Sequence, residues 1–221
     1  ALLARAIGEG GMVDREHLCV DTGLPAEEVG QLIRMGDPVS FAQAPLDLSD
    51  DVLAGHSLDN RASVAALTAW LEELQRLRCS WDVWAVASVQ EEETLGGAFT
   101  SAFSIRPDLA VAIDVTFGKG PGSPNDYRTF ELGKGLTLGW GSNVHPGLYR
   151  RFKDLAEELE LPYCVELMPK YSGPDAMAMQ VMAEGMPTIV LGIPRRYLHT
   201  PGAMVSMTGI TRPGHLMAES I

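Results

Sequence analysis

From Ser57 onward the chain alternates short apolar runs with amphipathic stretches, and this alternation limits the possible folds more than any other feature. Runs such as DVWAVASV (82–89), DLAVAIDV (108–115) and PTIVLGI (187–193) are apolar on both faces, so as strands they need helices on both sides of a sheet. YCVELM (163–168) predicts a further short strand, and FELGKGLTLGWG (130–141) a strand pair. Between them lie helical periods. NRASVAALTAWLEELQRL (60–77) sets Val64, Leu67, Leu71 and Leu74 on one face, and PGLYRRFKDLAEELE (146–160) aligns Leu148, Phe152, Leu155 and Leu159 behind an initial proline. TLGGAFTSAF (94–103), PDAMAMQVMAEG (174–185, closed by Gly185) and the last dozen residues also read as helices. The expected fold class is α/β, a mixed β-sheet flanked by helices.

The first 55 residues read differently. Turn-rich pieces, GEGG and APLDLSDD, surround one strand candidate, DPVSFAQ (37–43). We therefore expect a small, partial β-rich region over 1–55 and a catalytic α/β domain over 56–221.

The chain has 221 residues, 46% of them hydrophobic, enough for a sizeable core. Its net charge of -12 argues against a nucleic-acid partner, whose phosphates require a basic face. No apolar stretch is long enough for a membrane span, and the first residues lack the pattern of a signal peptide. Cys19, Cys79 and Cys164 form no CxxC pair, and an odd count fits reduced thiols packed in a cytoplasmic protein.

In open α/β sheets, ligands gather beyond the carboxyl ends of strands. Glu91, Glu92 and Glu93 follow strand 82–89, Asp114 ends strand 108–115, His199 follows strand 187–193, and Asp59 precedes the 60–77 helix. Adjacent like charges repel, and a divalent metal would relieve that repulsion. Carboxylates with an imidazole suit Zn, Co or Mn. Two ions would need a bridging carboxylate, and one further carboxylate could take a proton from water. Each residue also has an ordinary structural role open to it: Asp59 as a helix cap, Asp114 in a turn, His199 and the three glutamates on solvated loops. His145 fits a turn before a helix, His56 lies near Asp59 in sequence, and His17 and His215 look peripheral. There is no GxSxG elbow, P-loop or GxGxxG motif.

Seven stretches in order, SLDNRASVAAL, VQEEETLGGAFTSAF, AIDVTFG, LGKG, NVHPGL, SGPDAMAMQ and GMPTIVLGIPRRYLHTP, resemble the M42 family of metallo-aminopeptidases across residues 35 to 205. The resemblance implies two divalent metal ions, with Asp59 as bridging ligand, Glu92 and His199 on one ion and Asp114 on the other. It implies Glu91 as general base, Asp175 as a residue near the substrate, and Arg61 as a support for the Asp59 loop. It also implies peptide substrates, a homo-oligomer and a β domain that mediates contacts between subunits. Glu93-Thr94 departs from the family's Val-Gly, placing an extra charge near the entrance. The family's amino-terminal His-x-Asp motif is not found, so we expect the chain to begin inside the small β domain and the second metal to lack that imidazole. Two alternatives remain open here. One is a β-glucan glycosidase, after an older label in the family, built on a pair of carboxylates such as Glu91 and Asp114. The other is a metal-poor, inactive remnant that only binds partners.

Overall fold

The computed structural model describes residues 17–169 and 174–221. The chain divides into two compact units, Ala1–Ser40 and Phe41–Ile221. The described part of the first holds one helix, α1 (Ala26–Leu32), which buries no residue. The expected strand at 37–43 does not form, and in the second unit the turn-rich APLDLSDD instead forms part of a hairpin.

That unit contains β1 (Leu46–Ser49), β2 (Val52–Gly55), α2 (Leu58–Leu74), α3 (Glu91–Thr94), α4 (Gly96–Ile105), β3 (Ala110–Phe117) and β4 (Leu136–Gly141). It continues with α5 (Pro146–Glu158), β5 (Tyr163–Met168), α6 (Pro174–Gln180), β6 (Thr188–Arg196), β7 (Ala203–Ser206) and α7 (Met207–Glu219). The strands form one mixed seven-stranded sheet in the order β1-β2-β7-β6-β4-β5, with β3 added beside β6. The pairs β3–β6 and β4–β5 are parallel, and the others are antiparallel. β6 is buried along nearly its whole length. It carries β3 on one edge from Ala110↔Thr188 to Phe117↔Arg195, and shares its other edge between β4 and β7.

Both faces are covered. Ile113 and Val115 pack with Leu58, Ala62, Ala66 and Ile210 of α2 and α7, whereas Ala110 packs with Ala102 and Met186 and against Met179. Odd and even positions of a strand point to opposite faces, so α2 and α7 lie across the sheet from α4 and α6. The buried stripe of α2 is Leu58, Ala62, Ala66 and Trp70, while Val64 and Leu71, assigned to the core by their period, are 45% and 40% exposed. Close packing decides this. A Cβ on Gly214 of α7 would stand 2.7 Å from the Ala66 carbonyl oxygen, so the two helices meet where side chains are smallest. In α5 the expected face holds, with Phe152 and Leu155 buried. His145 caps that helix by accepting from the amides of Gly147 and Leu148.

Other elements differ from expectation. Residues 82–89 join no β-ladder among the described residues, and Trp84 and Val89 are each 65% exposed. The run has strand-like composition, but a strand also requires a hydrogen-bonding neighbour. The 130–141 pair reduces to β4, with Phe130 only bridging Gly118. α6 stops at Gln180, before Gly185. Hairpin β1–β2 belongs to the main sheet through β2–β7, not to a separate region ending at residue 55. Cys19 and Cys79 are exposed instead of packed, and Cys164 is half-buried. Among the described residues no helix is long and apolar enough to cross a membrane.

Candidate metal centre

The irregular starts and ends of helices and strands present the polar side chains. Asp59 sits in the first turn of α2, where its backbone (φ -90, ψ 107) is not helical, and the preceding Ser57 is left-handed at φ 56. The Asp59–Asn60 peptide bond is cis. Glu91, Glu92 and Glu93 form the single turn α3, flanked by left-handed Gln90 (φ 61) and Leu95 (φ 55). Gly97 lets this turn fold back, because a Cβ there would lie 2.3 Å from the Val89 amide nitrogen. Tyr197 and His199, beyond β6, are left-handed too, at φ 59 and 56. Non-glycine residues in this region cost free energy, and such strain concentrates at functional sites.

These loops bring Asp59, Glu92 and His199 together, with one ligand atom from each within 4.8 Å of the others. His199 Nε2 lies 3.8 Å from Asp59 Oδ2 and 3.6 Å from Glu92 Oε1. Two carboxylate oxygens and an imidazole nitrogen make a donor set suited to zinc or cobalt. Bonds near 2.1 Å would set such ligands about 3.5 Å apart. The three residues therefore fit one divalent ion with little rearrangement.

Asp114 stands outside that triad, where the resemblance put it on a different ion. Its Oδ1 accepts from Asn60 Nδ2 at 2.8 Å and from the Val115 amide at 2.7 Å, leaving Oδ2 free of both bonds. Burial pushes its carboxyl up to about 8, against the pull of the Val115 amide, and the charges of Glu91, Asp59 and Asp175 add to the rise. Glu91 is raised to about 7, chiefly by burial, then by Glu92, Asp175 and Asp59. A carboxyl poised there can take a proton and return it near neutral pH. Asp175 accepts from Ser88 at 2.5 Å, and burial raises it.

The sequence reading passed over three residues. Asn60, inside the quoted LDNR, orients Asp114. Ser88 holds Asp175. Arg195, whose side chain is 2% exposed, sets Nη1 3.0 Å from Asp59 Oδ2. The cation beside Asp59 is thus Arg195 and not Arg61, which is exposed. The only available signal for Arg195 was a basic pair inside an otherwise apolar run. His56 bonds to Ser57 and is not one of the triad, while His215 pairs with Glu73.

Fold and site together define a mixed α/β protein with a carboxylate–imidazole cluster on loops around its central strands. The model of the M42 glutamyl aminopeptidase family matches residues 4–216, and the chain belongs to that family. It is 38% identical over 205 residues to a lysyl aminopeptidase of Pyrococcus furiosus, a match covering 90% of this chain and 57% of that protein. An aminopeptidase structure from the archaeon Desulfurococcus kamchatkensis superposes with a TM-score of 0.78 at 31% identity, covering 87% of this chain and 55% of that one. The TET1 peptidase of Pyrococcus horikoshii, described as assembling into a tetrahedron or a large octahedral shell, shares the fold. Its TM-score is 0.67 at 23% identity, over 87% of this chain and 56% of that one. The chain spans little more than half the length of these three relatives.

Proposed function

We propose that this protein is the core of a metal-dependent aminopeptidase that removes the amino-terminal residue from peptides. The observation that carries the reading is the convergence of Asp59, Glu92 and His199 in a chain whose neighbouring Glu91 carboxyl is pushed to about 7. Asp59, Glu92 and His199 would hold one divalent ion, and Asp114, together with Asp59, would contribute to holding a second. When bound, such ions polarise the scissile carbonyl and make water a stronger acid. Glu91 accepts a proton as the water oxygen adds to the carbonyl carbon. It returns that proton to the amine nitrogen as the carbon–nitrogen bond breaks. Asp175, fastened by Ser88, lies close enough to Glu91 to raise its carboxyl and borders the same space.

A glycosidase built on Glu91 and Asp114 gives no role to an imidazole, and here His199 is part of the cluster. The peptidase reading uses every member. The family resemblance further supports a homo-oligomer, with the amino-terminal region contributing contacts, and light scattering on the purified chain tests it.

The deciding experiment loads the chain with zinc or cobalt, removes the excess, and counts ions per chain. Hydrolysis of Lys-, Glu- and Leu-p-nitroanilide is then followed with and without chelator. Bound metal and chelator-sensitive turnover support the proposal. A chain that takes up no metal, or hydrolyses all three equally well after chelation, overturns it.

A further inference from the structure

The acidic rim raises an electrostatic problem that begins before any metal arrives. Asp59, Glu91, Glu92, Asp114 and Asp175 lie near one another, as their mutual effects on Glu91 and Asp114 show. Repulsion among such groups would splay the loops apart. Among the described residues one buried cation, Arg195, stands against them, with Nη1 3.0 Å from Asp59 Oδ2.

Arg195 is fixed from several directions. It pairs with Phe117 of β3 on one edge of β6 and with Val205 of β7 on the other. Its carbonyl oxygen accepts from the Gly118 amide at 2.7 Å, and its Nη2 donates to the Tyr197 carbonyl at 3.4 Å. Nε and Nη1 are buried without a well-aligned hydrogen-bond acceptor among the described residues, where the charge of Asp59 is their principal compensation. Arg196, the next residue, instead donates from Nε to the Lys119 carbonyl at 2.6 Å and serves the backbone. Asp59 is the opposite of Arg195 in its setting, lying in a non-helical turn with little regular structure to hold it. A rigid strand residue thus grips a ligand on an irregular loop.

We propose that Arg195 is the positioning residue of the metal centre: its buried guanidinium aims the Asp59 carboxylate at the space between Glu92 and His199. This rests on the metal-dependent reading above. A buried cation beside a ligand could also act as a competitor for the metal, and the two roles predict opposite changes in affinity. Partners that orient metal ligands typically contribute about 10–100-fold in affinity.

The test titrates metal-free wild type, Arg195→Lys and Arg195→Met with cobalt ions. Calorimetry gives affinity and stoichiometry, and the visible spectrum of the bound cobalt reports ligand geometry. Circular dichroism checks the fold. We expect Arg195→Met to bind cobalt about 10–100-fold more weakly with an altered spectrum. Lys keeps the charge but loses the planar fork, so Arg195→Lys should recover only part of the loss. Wild-type affinity and spectrum in Arg195→Met overturn the proposal, as does tighter binding, which would make Arg195 a competitor. Should Arg195→Met fail to fold, Arg195→Lys decides, and an affinity and spectrum equal to wild type overturn it. Failure of the wild type to bind cobalt overturns the metal reading and this inference together, whereas wild-type binding with unchanged variants overturns this inference alone.

Discussion

Ser88 donates its hydroxyl to Asp175 Oδ2 at 2.5 Å, fastening the segment before the acidic turn to α6. The other oxygen, Oδ1, is buried and has no hydrogen-bond partner among the described residues. Burial raises the Asp175 carboxyl, and the Ser88 hydroxyl opposes that rise by stabilising the anion. Ser88→Ala should therefore move the Asp175 titration upward in metal-free protein. Carboxyl-carbon NMR reads the shift, and a downward move would show that the hydroxyl does not favour the anion.

The metal-free protein should lose stability as pH rises. Glu91 and Asp114 are raised, to about 7 and about 8, above their ordinary values of 4.5 and 3.8. Groups raised in the folded state contribute fully below their unfolded pKa, and that contribution is lost as pH climbs through the folded values. Melting in the presence of chelator should show the midpoint falling between about pH 4 and pH 8 and levelling above that. Asp114→Asn should flatten the slope. An unchanged slope in that variant would remove Asp114 as a source of the pH dependence.

Glu91→Gln keeps the size of the side chain but cannot accept and return a proton. Turnover of a p-nitroanilide should fall by about 10²–10⁴-fold, while metal content measured after desalting stays at the wild-type level. Unchanged turnover would take Glu91 out of the proton transfer.

Asp51 links the β1–β2 hairpin to α7. Its carboxylate accepts from Ser206 Oγ at 2.5 Å, from the Thr208 amide at 2.8 Å and from the Thr208 hydroxyl. The Ser206 bond, then that of Thr208, lowers its pKa below the ordinary value of 3.8. Its contribution is thus present above that value and lost as pH falls through the lowered pKa. Asp51→Asn should cost about 1 kcal/mol, by comparison with helix caps, or about 2–4 °C in melting midpoint at pH 7. The gap to wild type should close in acid, and a constant gap across pH would exclude the ionised carboxylate as its cause.

Gly214→Ala tests the close crossing of α2 and α7. Alanine favours helices by about 1 kcal/mol over glycine, but here its methyl would press on the Ala66 carbonyl and stand 3.0 Å from the Trp70 amide nitrogen. We expect net destabilisation of about 1–3 kcal/mol from overpacking, measured by denaturant unfolding. Stabilisation would mean that the helices separate at little cost.

Local order was largely legible. The period-3.6 face of Phe152 and Leu155, the proline that opens α5, and the apolar runs of β3, β5 and β6 are properties of neighbours in sequence. The sequence also led to the expectation that Asp59, Glu91, Glu92, Asp114 and His199 gather, of which Asp59, Glu92 and His199 come within ligand distance of one another, although 82–89 forms no strand to carry the glutamates. Tertiary structure decided which residues those elements meet. It buried Ala62 and Ala66 where the period favoured Val64 and Leu71, since the nearness of Gly214 depends on a helix at the other end of the chain. It gave residues 46–55 to the main sheet through a ladder with β7, while 82–89 found no such partner among the described residues. It also turned Arg195 inward against Asp59. Periodicity records the preference of a segment for water or core, whereas the counter-ion of a carboxylate is set by contacts between residues far apart in the chain. For that reason the gathering of acidic residues with His199 could be expected from the sequence, and the pairing of Arg195 with Asp59 could not.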